Sequence, residues 1–301
     1  GAGSLGGLGL ASCATTSVSP LARAPYQALA PLRASADRIF DITVCTRPFR
    51  AAGPRLDAER VGDTLVVHNY GHGGSGWSLS WGSSTLAVQK AMAGGPREIA
   101  VIGCGALGLT SALLAQEAGA RVTIYARDRL PNTRSVRATG SWTPDSRIAL
   151  EDAAAPGFGA LWEQMARTSF KTYRRYLGLP GTPIEWVDHY SLSDGPSVSA
   201  PSRSAQPAIP RLRFAEYRNR IRDLTPRNEI LPPGATPFPV ATVRRSSELI
   251  FNIADYGHTL FNDFLIAGGK FVRTEFHSPA DIAALAEKVV INCPGYGARA
   301  L

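Results

Sequence analysis

From Leu65 onward the chain alternates short apolar runs with longer stretches of helical periodicity. Leu65–His68 (LVVH) predicts a strand, and residues 77–93 predict a helix. The run Ile99–Ile102, a helix over residues 109–117 and the strand Arg121–Ala126 follow in close order. Residues 157–178 carry Trp162, Met165, Ser169, Tyr173 and Tyr176 at spacings of three and four, an amphipathic helix whose aromatic stripe belongs to the core. Toward the C-terminus come a strand (248–253), a helix (256–267) ended by Gly268-Gly269, a strand (270–274), a helix (280–287) and a last strand (288–293). Upstream, residues 38–47 (RIFDITVCTR) alternate apolar and polar positions and read as a further strand, ended by Arg47-Pro48-Phe49-Arg50. Strands alternating with helices predict an α/β fold built on a parallel sheet. Ser/Pro/Gly-rich residues 193–210 read as a surface loop or lid, and residues 232–239 as another irregular stretch.

Two glycine-rich turns interrupt this pattern. Gly103-Cys104-Gly105-Ala106-Leu107-Gly108 joins the run 99–102 to the helix after it. In that setting the first glycine makes the turn and the second lets backbone approach a pyrophosphate at the helix N-terminus. The third lets helix and strand pack closely. The expectation is a dinucleotide site at Gly103, Gly105, Ala106, Leu107 and Gly108. An acidic residue closing the second strand would bind ribose hydroxyls. Asp128 is the candidate, with Arg127 as the alternative occupant and a solvated turn as the plain reading. Arg134 and Ser135 read either as phosphate contacts or as solvated loop residues. The second turn, Asn69–Trp77 (NYGHGGSGW), feeds residues 77–93 and makes a second helix N-terminus that favours an anion.

Composition narrows the class. Apolar residues make up 44% of the 301 and charged residues 19%, as in globular proteins with a sizeable core. The formal charge of +8 comes from scattered Lys and Arg with no basic helix, which argues against nucleic acid and suits anionic cofactors and substrates. Cys13, Cys45, Cys104 and Cys293 form no C-x-x-C, and the five histidines have no metal-ligand spacing, so no metal is expected. Residues 1–13 (GAGSLGGLGLASC) are apolar and uncharged, too short to span a bilayer, and read as an export signal. Leu10-Ala11-Ser12-Cys13 resembles a bacterial lipoprotein box, with Cys13 as the lipid-anchor position. This gives an expected exported, periplasmic or membrane-anchored location. Residues 14–36, rich in Ala, Ser, Thr and Pro, read as a linker.

Six segments together resemble the D-amino-acid oxidase and D-aspartate oxidase family. His68–Gly76 (HNYGHGGSG) is similar to its flavin-contacting loop, and Arg47–Arg50 to its substrate-arginine segment. Ile99–Gly108 is similar to its FAD-binding glycine motif, and Gly140–Pro144 (GSWTP) to its G-x-W-x-P loop. Leu224–Arg227 (LTPR) and 290–301 (VINCPGYGARAL) complete the set. The order differs from the family, in which the arginine segment and the glycine loop lie near the C-terminus. A strand-rich part carrying a substrate-covering tyrosine would follow Leu301, which implies a fragment or a truncated relative.

The resemblance implies a Rossmann-like FAD-binding domain with a parallel sheet (37–150, returning at 280–301). It also implies a substrate domain with a mixed sheet (151–279, incomplete). It implies FAD as cofactor and extends its contacts to Gly73, Gly74, Ser75, Gly76, Trp77 and Ser78 around the flavin. Gly140, Trp142, Cys293 and Gly295 complete the contacts. The substrate would be a D-amino acid, its carboxylate held by Arg47 and its amine by the carbonyl of Gly74. A hydride passed to flavin N5 would leave an imino acid that hydrolyses to a keto acid. Oxygen, the acceptor, would become hydrogen peroxide. Two other readings fit the same residues: an exported flavin dehydrogenase with another electron acceptor, and a non-catalytic dinucleotide-binding lipoprotein.

Overall fold

The computed structural model describes residues 33–195, 212–232 and 234–299. The segment 1–13 with Cys13, most of the linker and most of the 193–210 excursion lie outside the described residues. The elements are, in order, β1 (Ala58–Val61), β2 (Thr64–His68), α1 (Gly76–Met92), β3 (Glu98–Ile102), α2 (Ala106–Glu117) and β4 (Arg121–Ala126). Then come α3 (Phe158–Tyr173), β5 (Ile184–Ser193), β6 (Glu229–Leu231) and β7 (Thr242–Phe251). The last four are α4 (Ile253–Ile266), β8 (Lys270–Arg273), α5 (Pro279–Ala283) and β9 (Val289–Asn292).

Six strands form one sheet in the order β1-β2-β9-β3-β4-β8. All its neighbours run parallel except the β1–β2 pair at one edge. The central strands are buried on both faces, which is why they read as continuous apolar runs. Val67, Ile99, Val101 and Ile291 face one apolar cluster with helices α1 and α2. Val66, Ala100, Ile102 and Val290 face a smaller one with Ile282 of α5. A second sheet, β5-β7-β6, is antiparallel throughout its described strands. The α/β class with a mostly parallel sheet is therefore present as read, with a separate antiparallel sheet beside it.

Helix α1 is enclosed between α2 and α3, and Trp77, Leu79, Trp81 and Ala87 are all buried. Only its last turn, at Gln89 and Lys90, is exposed to solvent, and small residues let its neighbours come close. At Gly82 a Cβ would overlap the backbone of Met165 on α3. The stripe read from 162 to 176 is core: Trp162, Met165, Ser169 and Tyr173 are fully buried, and Trp162 Nε1 donates to the Pro144 carbonyl at 2.7 Å.

One expected element does not form. Residues 38–47 are not a strand. A short 3₁₀ turn at Ala36–Arg38 is followed by extended chain without ladder partners, broken only by an isolated bridge between Phe49 and His72. Phe40 is fully exposed, and Ile39, Ile42 and Val44 are exposed with it. Alternation favours a strand only where a neighbouring strand takes up the backbone hydrogen bonds, and among the described residues none lies alongside. The helix expected at 280–287 is shorter. It starts where Asp281 accepts the N–H groups of His277 and Ser278 at 2.7 and 2.9 Å, and it ends at Ala283.

Replacing Gly82 by alanine is expected to lower stability by about 1–3 kcal/mol, because the contact it violates is backbone and cannot rotate away. Urea unfolding of Gly82→Ala beside the parent measures it, and an unchanged midpoint would refute the close α1–α3 contact.

Candidate functional site

A cavity of about 470 Å³ opens at the C-terminal ends of the parallel strands. Ligands of open α/β sheets bind in this position, where the strand order switches. Its floor is the fingerprint. Gly103 has φ +99°, and a Cβ there would overlap the Cys293 carbonyl. A Cβ on Gly105 would come within 2.6 Å of Ser135 Oγ. Gly108 lies off the wall, where a Cβ would overlap the Gly103 carbonyl, so it serves the close packing of α2 on β3. Gly105, Ala106 and Leu107 present the first turn of α2 to the cavity. The Ser135 hydroxyl accepts the Ala106 N–H at 3.0 Å.

The upstream segment forms the opposite wall. Arg47, Pro48, Gly73, Gly74, Gly76, Trp77 and Ser78 all line it. Pro48 places the arginine, since its carbonyl accepts the Gly73 N–H at 3.1 Å. Arg47 is half-buried, and no carboxylate among the described residues pairs with it. Ser75 sits behind the wall. Its hydroxyl donates to the carbonyls of Thr143 and Ser146 at 3.0 and 3.2 Å, and Gly74 N–H donates to Ser146 at 2.8 Å. Trp142 is also behind it, with Nε1 donating to the Ser78 carbonyl at 3.3 Å. Trp77 Nε1 donates to the Ser135 carbonyl at 2.8 Å, tying α1 to the loop over the fingerprint.

Arg127 and Asp128 line the far end together. Arg127 Nε donates to Asp128 at 2.8 Å and its Nη1 to Glu275 at 3.1 Å. The guanidinium lies between two carboxylates, so both candidates for the ribose end stand at one rim. Arg134, Ser135, Gly140, Cys293 and Gly295 complete the expected set on the wall. Sequence reasoning did not find Tyr125, Glu275, Phe276, His277 or Tyr296, which also line the cavity. Arg134 lies over the Tyr296 ring at 4.7 Å. Tyr296 stands three residues after Cys293 in the last motif, so that motif carried the signal. Glu275 and its neighbours follow β8 with no motif of their own.

Burial sets the protonation of the groups beneath the glycine loop. His72 is 1% exposed, and burial pushes its imidazole down to about 3, so it is neutral. Burial also lowers His68, whose Nε2 lies 2.8 Å from Glu59 Oε1. The thiols of Cys104 and Cys293 are pushed up to about 12 by burial and remain protonated.

This architecture is that of a dinucleotide-binding oxidoreductase. A family model described as FAD dependent oxidoreductase (DAO) matches residues 98–301. The chain belongs to that family, and its cofactor is FAD. A D-amino-acid oxidase of Streptomyces coelicolor is 29% identical over 208 residues, covering 68% of this chain and 54% of that enzyme. A D-aspartate oxidase of Cryptococcus neoformans is 44% identical over 52 residues, 17% of this chain and 13% of that protein. A D-amino-acid oxidase of Dictyostelium discoideum is 53% identical over 36 residues, 12% of this chain and 10% of that protein. The matched part thus spans about half the length of the first of these relatives and less of the others. The glycine cradle and the first turns of α1 and α2, whose N-cap residues supply no side-chain cap, fit a dinucleotide.

The two buried histidines make stability depend on pH. The fold holds them neutral, while the unfolded chain protonates them below 6.5. Their contribution is complete above that value and is lost as the pH falls below it, for His72 through a window reaching down to about 3. A slope of up to about 1.4 kcal/mol per pH unit is expected from His72 there. Urea unfolding at pH 7, 6 and 5 checks it: His72→Gln should flatten the slope, and an unchanged slope would refute the neutral His72.

Proposed function

We propose that this chain carries out the FAD-dependent oxidation of a D-amino acid to an imino acid, with oxygen as the electron acceptor. One observation supports this reading above the others. Arg47 and the Gly73–Gly74 backbone face the dinucleotide cradle across a single cavity. The arginine lies outside the matched range 98–301, yet chain folding brings it to the same space.

The chemistry supplied by FAD, when bound, is acceptance of the substrate's α-hydrogen as hydride and return of the electrons to oxygen. The chain's own residues bind and orient. Gly103, Gly105 and Ala106 take the pyrophosphate at the positive end of α2. Asp128 or Arg127 meets the ribose, and Arg134 lies within the same wall. The N-terminal turn of α1 at Gly76, Trp77 and Ser78 would offer a second positive helix end to the negative charge of the reduced cofactor. Arg47 grips the carboxylate, because a planar guanidinium matches a carboxylate in two places. The Gly74 carbonyl accepts from the substrate amine. With both groups held, positioning supplies most of the rate effect. The buried, neutral His72 and the protonated Cys104 and Cys293 have no acid–base part in it.

Arg47→Ala is expected to raise KM for the D-amino acid roughly 10- to 100-fold, the worth of a charged, paired contact, while the flavin absorbance stays at the parental ratio. Equal KM values would remove the clamp. Gly105→Val is expected to abolish the yellow chromophore, and a purified variant with full flavin absorbance would remove the cradle. Turnover with oxygen and with an artificial dye, side by side, tests the acceptor. Oxygen consumption matched by peroxide is the expected result.

A further inference from the structure

A chain of buried hydrogen bonds joins the glycine loop to the fingerprint helix. Asn69 is at its centre, fully buried, with its backbone N–H donating to the Asn292 carbonyl at 2.9 Å. Its side-chain nitrogen donates to Ser84 on α1 and to Ser111 on α2, each at 3.1 Å. Its side-chain oxygen accepts from Ser83. Counting hydrogens fixes the direction of the links around Asn69. The amide has two and spends both, and Ser83 has one and spends it on Asn69. Ser83 Oγ, 2.8 Å from His72 Nε2, is therefore the acceptor there, and the imidazole carries its hydrogen on Nε2.

The chain of bonds continues along α2. Ser111 donates to Ser84 at 2.9 Å, and the Ser84 and Thr110 hydroxyls lie 2.8 Å apart, with the Leu107 carbonyl 3.4 Å from Ser84 as a further acceptor. Thr110 donates to the Ala106 carbonyl at 2.9 Å. The links thus run without a break from His72 in the loop to the first residue of α2. In a dry interior, connected bonds strengthen one another. Ser83 itself is fully buried and does not line the cavity.

We propose that Ser83 is a positioning residue, acting through Asn69 and His72, that couples the Gly71–Gly76 loop to the first turn of α2. A dinucleotide seated at Gly105 and Ala106 then orders the substrate side of the cavity. The proposal rests on the reading of the cavity as an FAD site. Its consequence is that occupancy at the Gly105–Ala106 end adds to the rigidity of the loop beyond what cofactor contacts at Gly73–Ser78 supply.

Hydrogen exchange with and without FAD tests it on the parent, Ser83→Ala and Ser83→Thr. In the parent, FAD is expected to slow exchange in peptides covering both 103–110 and 69–76. In Ser83→Ala the slowing at 103–110 should persist, while that at 69–76 falls by roughly tenfold or more. Ser83→Thr, which keeps the hydroxyl, should restore it. Equal slowing at 69–76 in the parent and Ser83→Ala would overturn the coupling, as would slowing confined to 103–110 in the parent. Loss at both segments in Ser83→Ala without rescue by threonine would reduce Ser83 to a folding role and overturn it too. Slowing at neither segment of the parent would overturn the FAD-site reading, and the proposal with it. If Ser83→Ala loses cooperative unfolding, Ser84→Ala cuts the same chain one link further on, with the same expected pattern.

Discussion

The rest of the molecule depends on a contact of backbone against backbone. The chain at Gly103 turns beneath the Cys293 carbonyl, and Gly108 brings α2 down onto the same turn, at distances that exclude any Cβ. Because α2 lies so low, its first turn ends inside the sheet's C-terminal crevice rather than above it. The neighbouring strands follow from this. β9 lies beside β3, with Asn292 level with Ile102, and β2 lies beside β9. The glycine loop leaving β2 thereby emerges at the same edge as the fingerprint. A single methyl group at any of these glycines would separate two walls that must share one ligand.

Polar contacts then hold what the glycines bring together. Ser75 and Gly74 are tied to the carbonyls of Thr143 and Ser146, Trp77 to Ser135, and Ser78 to the backbone N–H of Thr143 at 2.8 Å. These are bonds between a side chain and main chain, or between main chains, so loop position does not rest on flexible surface side chains. The charged groups are kept at the rims, as with Arg127 between Asp128 and Glu275. The interior beneath the loop is uncharged, with His72 neutral and two thiols protonated.

Much of this was legible because its causes are local. A glycine fingerprint between an apolar run and a helix is set by steric need at each position. Buried parallel strands advertise themselves as continuous apolar runs, and α1, α2 and α3 appeared close to their predicted bounds. The failures came where the cause is distant. The alternation in residues 38–47 has a strand's pattern, but pairing depends on a neighbour that the sequence does not identify. β5 mixes Ile184, Trp186, Val187, Tyr190 and Leu192 with polar residues, is exposed along most of its length, and finds its partner β7 some fifty residues later. Glu275 and Phe276 reach the cavity only because β8 adds to the far side of β4. Segment order proved no obstacle, since strands in a parallel sheet find their places by burial rather than by sequence rank.

The pairing of β2 with β9 also sets a timetable. His68 lies opposite Asn292, residues separated by 224 positions. At ~5–20 residues per second, the ribosome needs on the order of 10–45 seconds to deliver the second after the first. Through that interval β2 has no parallel neighbour, and α1, with Trp77 and Trp81, has no finished sheet to cover. The sheet's central seam therefore closes only once β9 is made, and until then β2 and β3 lack the strand that joins them.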